Sequence, residues 1–205
     1  MDLAASGITS CAGDSSDRAG QASRSDVVAA LRGVRGLDAI GVVTPDPAVA
    51  EAAERAGARA LLGDDPGLNE AIDRAARDLG EAARDGTLVV LGDVAGARTA
   101  DLEAMLAALA RAAAPCAVLA PARDGGTAAL ARKPHGAIPS RFGANSANAH
   151  RDAARAAQVP LVELPLASLA IDLDDEASLR AFLSTPEGGA HTRAALRALG
   201  VERHA

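Results

Sequence analysis

From residue 38 onward, short apolar runs alternate with longer stretches of helical spacing, and this rhythm narrows the architectures open to the chain. Ala39 to Val43 reads as a strand that runs into Thr44-Pro45-Asp46-Pro47, a helix start. Ala48 to Ala56 follows as a helix closed by Gly57, and Ala58 to Leu62 as a second strand. Gly67 to Ala83 carries helical spacing through Leu68, Ile72, Ala75 and Leu79. Thr87 to Leu91 is the clearest buried strand and Thr99 to Ala113 the clearest helix, after which Ala117 to Ala120 repeats the strand signal. Alternation of this kind predicts a single α/β domain of Rossmann-like type, a mostly parallel sheet with helices on both faces. Ligands then bind beyond the carboxyl ends of the strands.

The rhythm changes after residue 123. Ala128 to Arg132 is expected as an edge strand or hairpin arm, Asn145 to Gln158 as a helix, and Leu161 to Leu164 as a strand. Leu169 to Leu173 is expected as a further strand, followed by helices over Glu176 to Leu183 and His191 to Leu199. Residues 1–24 are rich in Gly, Ser, Ala and Asp without either period, which predicts a mobile segment ahead of a folded unit over 25–205. That segment has no apolar core of a signal peptide, and no apolar run is long enough to cross a bilayer, so a cytoplasmic location is expected.

Composition sharpens this in two places. Trp and Tyr are absent and Phe occurs twice in 205 residues, so the core must be built from Ala, Leu, Val and Ile, which suits closely spaced helices on a sheet. A net charge of −6 gives no footprint for nucleic acid or an anionic membrane. Cys11 and Cys116 fit no metal or redox spacing, and Cys116 reads as a small buried hydrophobe.

Four constellations carry possible chemistry. Asp172 and Asp174 alternate at the expected strand end and so share a side, where Asp93 at the end of a neighbouring strand could join them. Three carboxylates there suit Mg²⁺, while Asp172 and Asp174 also read as turn and N-cap residues before the following helix. Asp124-Gly125-Gly126-Thr127 is either an anion-binding turn or an ordinary one. Phe142-Gly143-Ala144-Asn145-Ser146 opens a helix, so it either receives an anion or merely caps; His150, one turn on, either touches that anion or is structural. Gly67-Leu68-Asn69 opens another helix, with Asn69 either capping it or reading a nucleobase edge.

In this order, the segments GLNEA, LGD, APARDGGTAAL, FGANSANAH and LAIDLDDEASL resemble the 2-phospho-L-lactate and phosphoenolpyruvate guanylyltransferase family of coenzyme F420 biosynthesis, over about residues 26 to 183. The resemblance implies a single-domain nucleotidyltransferase-like fold that uses GTP and Mg²⁺. It implies metal-holding, catalytic roles for Asp93, Asp172 and Asp174, and acceptor contacts from Thr127, Gly143 and Ser146. Gly67, Leu68 and Asn69 match the part associated with the guanine nucleotide. Its implied partners are small molecules, GTP and phosphoenolpyruvate or 2-phospho-L-lactate, with a homodimer as a further expectation and neither nucleic acid nor membrane.

The match departs at its start. The family opens with a buried strand and a loop bearing Pro, Lys and Arg, whereas Lys133 is the only lysine here and residues 1–24 show no such pattern. The expectation is therefore a sheet lacking the family's first strand, explained by a start further upstream or by an eroded copy. A catalytically silent homologue that binds nucleotide or a partner is the alternative to an active enzyme.

Overall fold

Leu88, Val89 and Val90 are all fully buried because both faces of their strand are covered. Leu88 and Val90 point into one cluster with Val27, Leu31, Leu102, Met105 and Leu109, whereas Val89 points into another with Ile8, Ile72, Leu119, Leu130 and Phe142. The computed structural model describes residues 5–10, 18–63, 67–79, 86–171, 173, 176–185 and 187–200. Among the described residues seven strands are present: β1 Ala5–Ser10, β2 Leu37–Thr44, β3 Arg59–Leu62, β4 Gly86–Leu91, β5 Cys116–Pro121, β6 Thr127–Lys133 and β7 Leu161–Glu163. Their order across the sheet is β3-β2-β1-β4-β6-β5-β7. All pairings are parallel except those of β6, which runs antiparallel to both β4 and β5.

Helices α1 (Arg18–Gly33) and α4 (Thr99–Arg111) cover one face, and α3 (Leu68–Asp78) and α5 (Ser146–Ala156) the other. Helix α2 (Pro47–Arg55) starts as the sequence predicts, with Asp46 Oδ1 accepting from the Ala48 amide at 2.7 Å and Pro47 in the first turn. Helices α6 (Glu176–Ser184) and α7 (Ala190–Ala198) complete the fold. No helix among the described residues is long and apolar enough to cross a membrane.

Three expectations are corrected. The N-terminal segment is not a shapeless leader: β1 lies at the centre of the sheet, between β2 and β4, and α1 runs through the expected boundary at residue 24. The expected loss of a first strand therefore does not hold for residues 5–10. Small residues hid this strand, and packing explains them. A Cβ on Gly7 would stand 3.0 Å from Leu31 Cδ2 and 3.1 Å from Leu37 Cδ1, so α1 sits against the strand where no side chain intervenes. Residues 1–4 and 11–17, and with them Cys11, lie outside the described residues.

The second correction concerns Leu169 to Leu173. Residues 167–170 form turns, with Leu169 N donating to Leu166 O and Ala170 N to Ala167 O. Leu169 and Ile171 are buried without a ladder, so the apolar alternation reflects two core contacts rather than a strand. Third, β6 is a hairpin arm but not an edge, since it is inserted between β4 and β5.

Candidate active site at the carboxyl ends of the strands

The chain leaves β4 through Gly92-Asp93, a turn held from several sides. The Ser23 hydroxyl of α1 donates to the Gly92 carbonyl at 2.9 Å, and Ala95 N donates to Asp93 O at 2.8 Å. Behind the turn, Gly96 lets the Ser168 carbonyl approach, for a Cβ there would meet that oxygen at 2.7 Å. Asp93 is thus a half-buried carboxylate on a rigid turn at the end of a central strand. The segment that leads toward Asp172 and Asp174 is anchored nearby, with Arg123 N donating to Ala170 O at 3.0 Å. Asp172 and Asp174 themselves lie outside the described residues. Among the described residues no group of three or more potential metal-ligating side chains converges.

The hairpin between β5 and β6 carries Asp124-Gly125-Gly126-Thr127. Asp124 Oδ1 accepts from Gly126 N at 2.8 Å, an Asx turn, and Gly125 takes a φ of 89° that favours glycine. The hairpin is docked on the start of α5, where Ala147 N donates to Gly125 O at 3.1 Å. Helix α5 begins after two residues with positive φ, Gly143 at 131° and Asn145 at 55°, and Ser146 N turns back to Gly143 O at 3.1 Å. Asn145 therefore does not cap through its side chain; its Oδ1 accepts from Asn148 Nδ2 at 2.7 Å.

His150 lies beneath this joint and is fully buried. Its Nδ1 is 2.9 Å from Thr127 Oγ1, and its Nε2 accepts the Arg141 backbone N–H at 2.9 Å. The Phe142 ring meets it edge-on at 5.0 Å. Burial, and then the Arg132 charge nearby, lower the His150 pKa to about 4, so the ring is neutral at pH 7. Of the two readings the sequence left open, the structure takes the structural one, since the ring is sealed from any ligand.

The start of α3 is tied to the same place. Gly67 precedes the helix with a φ of 95° and no side-chain cap bond is made there. Asn69 neither caps nor projects freely. Its Nδ2 donates to Phe142 O at 3.0 Å and its Oδ1 accepts from Phe142 N at 2.6 Å, so the amide grips one backbone residue from both sides. One turn on, Asp73 accepts from the Ser140 hydroxyl at 2.6 Å and from Arg132 Nη1 at 3.0 Å. Burial alone would raise the Asp73 pKa, but the Ser140 and Arg132 contacts outweigh it and lower the carboxyl below its usual range. Arg132, itself 1% exposed, also donates from Nη1 to Ile138 O at 3.0 Å.

The fold thus unites three of the four constellations. Thr127, Gly143 and Ser146 surround the hairpin–α5 joint, and Gly67, Leu68 and Asn69 are joined to it through Phe142. Asp93 emerges at the same end of the sheet, because β4 and β6 are antiparallel and Val90, near the carboxyl end of β4, pairs with Ala129, near the amino end of β6. Sequence reasoning missed Ser23, Asp73 and Arg132 as supports. No local motif marks them, since Ser23 and Gly92 are 69 residues apart and Arg132 and Asp73 are 59 apart.

Comparison with known proteins shows the family and the fold. The chain is 43% identical over 157 residues to a phosphoenolpyruvate guanylyltransferase of Sphaerobacter thermophilus, which covers 75% of this chain and 73% of the relative. It is 32% identical over 147 residues to a 3-phospho-D-glycerate guanylyltransferase of Colwellia psychrerythraea, covering 71% and 69% of the two chains. Among solved structures, a nucleotidyl transferase from Methanothermobacter superposes with a TM-score of 0.61 at 21% identity, over 87% of this chain and 97% of that one. The family model described as guanylyl transferase, CofC like, matches residues 14–204. With a family match over nearly its whole length and a nucleotidyltransferase fold beneath it, the chain belongs to the CofC-like guanylyl transferases.

Proposed function

We propose that the chain transfers the guanylyl group of GTP to phosphoenolpyruvate or 2-phospho-L-lactate, releasing pyrophosphate, in coenzyme F420 biosynthesis. One observation carries this reading. The start of α3, the β5–β6 hairpin and the start of α5 are hydrogen-bonded into one unit, with Asn69 holding Phe142 and Gly125 receiving the Ala147 amide. A nucleotide site at Gly67-Leu68-Asn69 and an acid site at Thr127, Gly143 and Ser146 are then neighbours by construction. Asn69 contributes by position, since its amide is already engaged.

In the reaction a phosphate oxygen of the acid attacks the α-phosphorus of GTP, the bond to the β-phosphate oxygen breaks, and pyrophosphate carries the electron pair away. No covalent enzyme intermediate is required. Placing two polyanions in line, with donors fixed beforehand, supplies the catalysis. Gly143 lets the backbone approach the acid closely, and the Thr127 and Ser146 hydroxyls donate to its oxygens. Asp93 fits a divalent cation by its chemistry, a hard oxygen donor on a turn pinned by Ser23. It would hold Mg²⁺ with Asp172 and Asp174, and the ion would neutralise charge between the two reactants. The protein is taken as a cytoplasmic enzyme of small molecules, with a homodimer as part of the same proposal and without nucleic acid or membrane partners.

A second acceptor, 3-phospho-D-glycerate, is favoured by the relative that carries that name. The silent-homologue alternative loses the missing strand as a motive, because β1 fills the centre of the sheet, and keeps the absence of the family's Pro, Lys and Arg run. The test is pyrophosphate release from GTP and Mg²⁺, with each of the three acids supplied separately. Release with one of them, reduced at least about a hundredfold in Asp93→Asn while the circular dichroism spectrum is unchanged, supports the reading. Folded protein that releases nothing with any acid refutes it.

A further inference from the structure

We infer that His150 is a positioning residue that fixes the Thr127 hydroxyl as a donor toward the acid acceptor. The inference rests on the acceptor role proposed for Thr127.

The ring's two nitrogens have different duties. Nε2 faces the Arg141 backbone N–H at 2.9 Å, and an N–H cannot accept, so Nε2 must present its lone pair. In a neutral imidazole the proton is then on Nδ1. Nδ1–H therefore points at Thr127 Oγ1, 2.9 Å away, and the threonine oxygen is the acceptor in that bond. A hydroxyl has one proton. With its oxygen accepting from His150, that proton is directed elsewhere, and an oxyanion is the partner such a donor suits.

The arrangement is locked from outside the site. Arg141 N is held next to Phe142, whose backbone Asn69 grips at both N and O. The Phe142 ring closes one side of the imidazole. Thr127 is itself 2% exposed, so water offers little competition for its hydroxyl. A threonine left alone would share its proton among nearby carbonyls; this one is pre-set before the ligand arrives, which lowers the cost of binding.

Two substitutions separate positioning from mere support. Asparagine places a side-chain N–H near the Nδ1 position and leaves Arg141 N without its partner. Glutamine reaches the Nε2 position and leaves Thr127 without its donor. If His150 orients Thr127, His150→Gln raises KM for phosphoenolpyruvate about tenfold or more while KM for GTP stays within about twofold, and His150→Asn stays near the wild type in both. In a Thr127→Val background, His150→Gln adds no further rise, because the hydroxyl it served is gone. The reverse order of the two variants, equal losses in both, or full additivity with Thr127→Val overturns the inference. A ring-nitrogen NMR spectrum of the unaltered protein gives a reading independent of turnover and of how the variants fold. A neutral Nδ1–H tautomer supports the inference, and a neutral Nε2–H tautomer or a charged ring at pH 7 overturns it. A wild type inactive on every acid, with the Nδ1–H tautomer present, refutes the acceptor role of Thr127 rather than the orientation of its hydroxyl.

Discussion

A neutral imidazole sealed in the fold makes stability depend on pH in a definite window. The unfolded chain carries His150 with an ordinary pKa of about 6.5, whereas the folded value is about 4. Its contribution to stability is therefore complete above about pH 6.5 and is lost as pH falls toward 4, since the unfolded state takes up a proton the native state refuses. The full loss is on the order of 3 kcal/mol. Urea midpoints between pH 7 and 4.5 should fall steeply for the wild type and less for His150→Asn. Asp73 acts in a separate, lower window: its carboxyl is lowered, so its contribution persists above its usual range and is lost only below it. At this scale the sequence singled out candidate residues more readily than it told whom they touch. Thr127, Gly143 and Ser146 stood out from their motifs, but the partner of Asn69 lies 73 residues away and no spacing encodes it.

Strands β2, β4 and β5 were legible because each is a run of branched or long apolar residues bounded by turn formers. Strand β1 was not, because its Ala, Ser and Gly residues look like a linker until α1 is laid on them. Its role gives a sharp expectation: Gly7→Val forces a side chain into Leu31 and Leu37 and should cost about 1–3 kcal/mol, read as a lower thermal midpoint. Helix α7 was legible as a helix, but its anchor was hidden. Asp26 of α1 accepts from His191 N at 2.9 Å and Thr192 N at 2.8 Å, and so does the work of a cap from 165 residues away. Asp26→Ala should lower stability by about 1–3 kcal/mol and should speed hydrogen exchange in α7 more than in α4, which lies on the sheet.

Across the whole molecule, α3 connects what the two substrates would touch. Its first residues, Leu68 and Asn69, belong to the segment proposed for the nucleotide, while Asn69 and Asp73 hold Phe142 and Ser140 just ahead of Gly143. Asn69→Ala should therefore raise KM for GTP and for the acid together, by roughly tenfold each, whereas Thr127→Val should raise only that of the acid. Initial-rate measurements with each substrate varied in turn distinguish the two patterns. The reversal of β6 has a consequence of another kind. A parallel neighbour for β4 would have to be reached through a crossover helix spanning the sheet, whereas the β5–β6 hairpin returns at once, through residues 122–126. The wall proposed for the acid pocket is thus a short turn hung from a ladder, so side chains on the turn can vary while the strands that carry it keep their register. Adaptation to a longer or bulkier acid is in this way separated from foldability.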